Sequence, residues 1–377
     1  MNDYSAQSEG YGLLCTFMKI YGFDFQSDAC KNLLSKIAIK LFPFLLHLSQ
    51  IYLIYVGAMA VYYGMLDFEI VFAYVFANFL SLPLWYSILA KKNSIRSLII
   101  QYQKINNLQK KRPPNRNAMI NFMFAFWISI PVIAAALCAA WISTDEVMKN
   151  CYGFFLPLED NFAAVLLRFC VLLLVFTSQH IFPNSAAMIC SIMYYKFSDL
   201  FSVFYEELQD LRGECINYYL MYSKMKQHSL LFRVAYQLQD ATSVICFLFL
   251  CSRMALMYFT LATFMLQREG ISPANAWEMM PVMVATPLSI ICVTLCCWRI
   301  TTKIKNCVTS LEEIQTDKAL EGKIQKETFR CLESMLSKRF PLFSACNIAS
   351  LDPKLNFTVF GSLFTYGLLL LSLEKQS

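Results

Sequence analysis

The chain has 377 residues, of which 57% are apolar and 15% charged, against roughly 45–50% and about 25% in soluble domains. Lys and Arg number 32, Asp and Glu 26, and Gly (11) and Pro (12) are scarce. These figures exclude a disordered, collagen-like or ordinary soluble chain and point to a multi-spanning membrane protein.

Residues 1–40 form a cytoplasmic N-terminal segment in this reading. Asp3, Glu9, Lys19, Asp24, Asp28 and Lys31 break any apolar leader, so the first span is expected to act as the insertion signal. A bilayer-crossing helix needs about 20 apolar residues. Stretches of that kind run from Leu41 to Leu66, Ile70 to Ala90, Ala118 to Thr144, Phe162 to Tyr195, Ala241 to Gln267, Met279 to Trp298 and Leu355 to Leu373. Arg168 and Arg253 are the charges inside the fourth and fifth.

Charge sets the expected orientation. Segment 91–117 holds Lys91, Lys92, Arg96, Lys104, Lys110, Lys111, Arg112 and Arg116 and no acid, which places it in the cytosol. With Pro113-Pro114, it reads as mostly linker. The flanking loops carry Asp67 and Glu69, then Asp145, Glu146, Glu159 and Asp160; the fifth-to-sixth loop carries Glu269 and Glu278. These acidic loops are expected outside. The fold class is therefore an all-α membrane protein of seven transmembrane helices, N-terminus cytoplasmic and C-terminus extracellular. The net positive charge sums basic inner and acidic outer loops and implies no nucleic-acid partner.

The expected organisation is spans one to four in 41–195, a cytoplasmic helical extension in 196–240, spans five and six in 241–299, cytoplasmic anchor helices in 300–354, and the last span with a short tail in 355–377. Phe197, Leu200, Phe201, Phe204, Leu208, Leu211 and Cys215 recur at helical spacing, with Glu206, Glu207, Asp210 and Arg212 opposite. Ile304, Val308, Leu311 and Ile314, then Phe329, Leu332, Met335 and Leu336, do the same. Such faces suit long helices extending into a cytoplasmic anchor bundle, or amphipathic helices on the membrane surface.

In the last span Thr358, Ser362, Thr365, Leu369 and Ser372 follow steps of 4, 3, 4 and 3 and share one helical face. Several copies around an axis would make that stripe a pore lining, with Leu369 or Leu373 as a constriction. Backbone-bonded hydroxyls on a packed helix give the same stripe.

Phe343-Ser-Ala-Cys-Asn-Ile-Ala-Ser-Leu-Asp352, and then Thr365-Tyr366, five residues and Ser372-Leu373, resemble the C-terminal signature of insect gustatory receptors, in which Thr-Tyr precedes Gln-Phe. Here Ser372-Leu373 replace that pair. Leu13 to Gly22 is similar to the family's approach to the first span. The resemblance also covers length, spans, orientation and the short tail. It implies a chemosensory, ligand-gated, non-selective cation channel of four subunits in the plasma membrane of chemosensory neurons. The last helix would line a central pore for Na+, K+ and Ca2+, and an outward-facing pocket in each subunit would take a tastant or odorant. Lipids and related receptor subunits would be the other partners; no cofactor is implied.

Candidate ligand residues are Arg168, at the depth expected of such a pocket, and Tyr74, Trp141, Tyr258, Phe264, Met283 and Thr286 near outer span ends. Arg253 is expected to reach towards the cytosol, and His180 with Pro183 to mark a kink with a satisfied polar contact. The alternative readings are an odorant-receptor-like channel subunit, a G-protein-coupled receptor, which the charge pattern opposes, and a secondary transporter, which lacks the expected repeats. Three scattered His (47, 180, 228) and no metal or acid–base motif argue against an enzyme.

Overall fold

The computed structural model describes residues 21, 23, 33–108, 117–156, 161–211, 218–266, 272–320 and 326–374. The resemblance at residues 13–22 (Tyr21 apart), the Pro113-Pro114 linker, Glu159-Asp160, Arg212, Glu269 and Cys215 lie outside them.

Among the described residues, seven helices are long and apolar enough to cross a membrane. The first is α1 (Leu33–Tyr62), closed by a turn at Gly64, whose φ of +66° suits a residue without Cβ. The second is divided into α2 (Phe68–Phe79) and α3 (Ser81–Leu108). The basic stretch beyond Ala90, read as linker, is thus helical to Leu108. Its apolar side supplies the reason: Ile95, Leu98, Tyr102 and Ile105 are buried at steps of 3, 4 and 3. The third is α4 (Asn117–Trp141), followed by a 3-10 turn at Ile142–Thr144 and the short α5 (Glu146–Tyr152).

The fourth span joins α6 (Phe162–Phe176) to α7 (Phe182–Asp210) through a π-turn at Thr177–Ile181. Pro183 explains the joint, since it lacks an N–H and its ring clashes with the preceding turn of an α-helix.

The fifth and sixth spans belong to α8 (Tyr218–Leu266, 49 residues) and α9 (Pro273–Leu320, 48 residues). At ~1.5 Å per residue each reaches about 70 Å, well over twice a bilayer's apolar core. Each is therefore longer than a membrane crossing needs. Phe197, Leu200, Phe201, Phe204, Leu208 and Leu211 of the α7 end region are buried, with Phe201 and Phe232 edge-on to Phe340. Glu207 departs from the expected solvent side: it is 6% exposed and bonded to Lys224 of α8.

Residues 300–354 are not helical throughout. After α10 (Lys326–Leu336) comes a small hairpin, β1 (Ser344–Ala345) with β2 (Ala349–Ser350), turning at left-handed Cys346 and Asn347. Side chains on α8 hold it. Gln239 Nε2 donates to the Ser344 carbonyl (2.9 Å), and the Cys346 N–H donates to Ser243 Oγ (2.8 Å). The last span is α11 (Pro353–Glu374). It packs against α8 and α9.

Candidate functional site

A cavity of about 260 Å³ lies where the acidic loops meet the helix ends, bounded by α1, α2, α5, the π-turn, the end of α8 and the start of α9. Close helix packing shapes one wall. At Gly57 an added Cβ would sit 2.5 Å from Val71, so α1 and α2 approach there as only glycine permits. Apolar and aromatic groups form most of the lining, among them Tyr52, Tyr74, Tyr152 and Phe259.

Its polar groups converge on Glu278, in the second turn of α9. Tyr152 donates a hydrogen bond to Glu278 Oε1 at 2.7 Å, and Tyr74 lies 3.3 Å from the same oxygen. The Tyr74 hydroxyl is also 3.2 Å from Gln179 Oε1; having one hydrogen, it divides it between two acceptors. Asp145 caps α5 through the Met148 N–H (3.1 Å) and accepts from Ser272 (2.5 Å). Gln179 and His180 are 1% and 2% exposed, and Gln179 Nε2 and His180 Nδ1 have no hydrogen-bond partner among the described residues. The second of these corrects the expected satisfied contact at His180. A ring edge on Phe176 (5.1 Å between centroids) and the π-turn hold the imidazole instead.

The acids Asp145 and Glu278 are the formally charged groups of the described wall. Burial first, and the Glu278 carboxylate next, push the Cys151 thiol up to about 12 and the Tyr152 phenol well above its ordinary value. Tyr152 is therefore a neutral donor. No Lys or Arg belongs to the described wall.

The backbone beside the cavity is strained. Phe154 and Phe155 both have φ of +58°, a left-handed conformation costing roughly 1–2 kcal/mol per residue. Ring contacts hold them: Phe154 edge-on to Tyr52 at 5.3 Å, Phe155 stacked on Tyr63 at 5.4 Å.

Of the seven candidate ligand residues, Tyr74 lines this cavity. Arg168 is 1% exposed inside the bundle, away from the cavity wall. Trp141, Phe264 and Met283 lie on the outer surface, about half exposed. Thr286 is fully buried. Tyr258 turns to α11, donating to Ser362 at 2.6 Å with its ring edge-on to Tyr366. Arg253 is completely buried and bonded to Ser252 (3.1 Å), not extended towards either surface. Tyr52, Tyr152, Gln179 and Glu278 escaped sequence reasoning. In the sequence Glu278 and Asp145 read as orientation charges, and the signal for Gln179 is a polar side chain within an apolar run.

On α11, Thr358, Thr365, Leu369 and Ser372 are exposed and Ser362 is half-buried; the side chain of Leu373 lies outside the described residues. Each hydroxyl of the stripe donates to its own helix backbone at 2.7–3.1 Å, leaving its oxygen able to accept.

No protein-family profile matches the chain, and no curated protein matches it in sequence. Solved structures match its fold. The insect olfactory receptor OR5 from Machilis hrabei superposes with a TM-score of 0.68 at 12% identity, covering 99% of this chain and 100% of that one. The same receptor in complex with eugenol gives 0.65 at 11% identity, with equal coverage. The chain thus has the seven-helix fold of an insect olfactory receptor along nearly its whole length.

Proposed function

We propose that the protein is a chemosensory receptor that works as a ligand-gated, non-selective cation channel. A small organic ligand enters the cavity beside Glu278, and four subunits surround a pore lined by α11. The acidic-loop end faces outside and the long-helix end the cytosol, in the plasma membrane of a chemosensory neuron. The observation carrying this reading is the cavity itself. It is an aromatic-walled chamber with a few convergent polar groups, the usual form of a small-molecule site, set in a fold shared with an olfactory receptor that binds eugenol.

The last helix supports the pore assignment. Only 22% of its apolar window is buried within one chain, against 50% for each of the fifth and sixth spans. Phe357 and Phe364 are 80% and 69% exposed, surface that lipid or further copies would cover, while the stripe Thr358, Ser362, Thr365, Leu369, Ser372, with Leu373 beyond, faces the axis. Helix α8 joins the two sites: Phe259 and Thr260 line the cavity, and the adjacent Tyr258 holds Ser362 and Tyr366 of α11. Ligand contact on one face of α8 is thereby one residue from the pore helix.

Two types compete. Thr365-Tyr366 favours a gustatory-type receptor, and the olfactory fold match favours an odorant-type subunit, working alone or with a related partner. Whole-cell recording with sugar, bitter and volatile panels separates them by the ligands that open the channel. Thr365→Lys and Ser372→Lys are expected to suppress cation current while leaving surface expression intact. Unchanged currents in both would remove α11 from the pore. An N-terminal tag labelled from outside intact cells would reverse the orientation.

A further inference from the structure

We propose, resting on the reading of this cavity as the ligand site, that its ligand is a small protonated amine whose ammonium group binds Glu278 and whose oxygen acceptor, where present, meets Gln179. The argument is a count of hydrogen-bonding groups. Glu278 Oε1, Glu278 Oε2 and Gln179 Oε1 are acceptors at the wall. Against them the protein supplies the Tyr152 hydroxyl and one Tyr74 hydrogen divided between two oxygens. Glu278 Oε2 has no protein donor among the described residues. Around Glu278 itself acceptors outnumber donors, and an ammonium group brings up to three N–H donors.

Charge agrees with the count. Glu278 and Asp145 face a wall without Lys or Arg, so a carboxylate or phosphate ligand meets repulsion and a cation meets attraction. Phe259 lies 5.1 Å from the Tyr74 ring, between centroids, and with Tyr52 and Tyr152 offers the aromatic faces that attract organic cations. Gln179 Nε2, nearly fully buried and unpartnered among the described residues, is a donor left for a ligand oxygen, with His180 and Asn275 also at the wall. The volume of about 260 Å³ lies just below the range usual for drug-sized ligands and selects a compact molecule.

The test compares three probes of similar shape on the full-length protein: phenethylamine, phenethyl alcohol and the anion hydrocinnamate. Binding is measured calorimetrically in detergent micelles at neutral pH, and currents are recorded separately in whole cells. Phenethylamine is expected to bind at least about tenfold more tightly than the alcohol, as a charge-assisted contact exceeds a neutral one, and hydrocinnamate not to bind. Glu278→Gln is expected to abolish the preference for the amine and Glu278→Asp to keep part of it. Equal binding of amine and alcohol, or no binding of the amine, overturns the proposal; this arm uses wild-type protein and depends on no variant folding. A preference that survives Glu278→Gln also overturns it. Amine binding without amine-evoked current leaves this inference standing and defeats the channel reading. Currents evoked equally by alcohol and amine do the reverse.

Discussion

The two ends of the bundle handle charge in opposite ways. At the long-helix end, buried or half-buried charges are neutralised in pairs. Glu207 is held by Lys224, and Asp199 accepts from Arg299 at 2.7 Å while that guanidinium lies 4.3 Å from the Tyr195 ring centroid. At the acidic-loop end, Glu278 and Asp145 meet hydroxyls and a backbone N–H but, among the described residues, no cation. A buried charge is costly unless paired. The paired end therefore reads as scaffold. The unpaired end retains a field that a partner from outside the chain can satisfy.

The sharpest way to break this contrast is to unpair the scaffold. Lys224→Met is expected to cost about 3–5 kcal/mol, the usual loss when one member of a buried pair is removed. Thermal unfolding in micelles would register it as a lower midpoint, and adding Glu207→Leu is expected to restore most of the loss. Tyr258→Phe removes one hydroxyl bond between α8 and α11, worth about 0.5–1.5 kcal/mol. It is expected to shift the ligand concentration for half-maximal current while calorimetric affinity stays constant. If affinity moved in step, Tyr258 would belong to the binding site instead of the link.

Glu278→Gln is expected to change the unfolding midpoint little, within about 1 kcal/mol, because the amide oxygen still accepts from Tyr152 and no cation loses its partner. A loss as large as that of Lys224→Met would show Glu278 to be scaffold. The smallest effect is expected at Lys91→Ala. Its partner Asp240 is 68% exposed, and such surface pairs contribute about 0–1 kcal/mol; an unfolding scan should barely separate it from wild type.

What the sequence revealed follows the same division. Spans, extensions and the helical stripe on α11 were legible because periodicity and hydropathy are local quantities. The buried face of α3 was hidden by the basic signal of segment 91–117, which reports orientation and draws attention to Lys91, Lys92, Arg96 and Lys104 and away from Ile95, Leu98, Tyr102 and Ile105. The hairpin at 344–350 was illegible: two-residue strands carry almost no pattern, and it is held by Gln239 and Ser243 about a hundred positions away. The cavity was hardest to read. Tyr52, Tyr74, Tyr152 and Glu278 are brought together by four separate helices, and no spacing rule links them. Intramembrane charge directed attention to Arg168, yet the chain buries that guanidinium inside the bundle and places an acid beside the cavity.

The π-turn at Thr177–Ile181 gives the fourth span two independent phases. A π-turn carries an extra residue per turn, and one residue is worth about 100° of rotation in an α-helix. The faces that α6 and α7 present are thus indexed separately, as with two rods joined by a clutch. Gln179 and His180, each with one nitrogen lacking a hydrogen-bond partner among the described residues, lie on the clutch plate itself. Any molecule that grips them acts at the one place in this span where rotation can change without breaking the hydrogen-bond ladder on either side. Deleting Ser178 is expected to lock the two rods into one phase, visible as a receptor that reaches the membrane yet no longer responds to ligand.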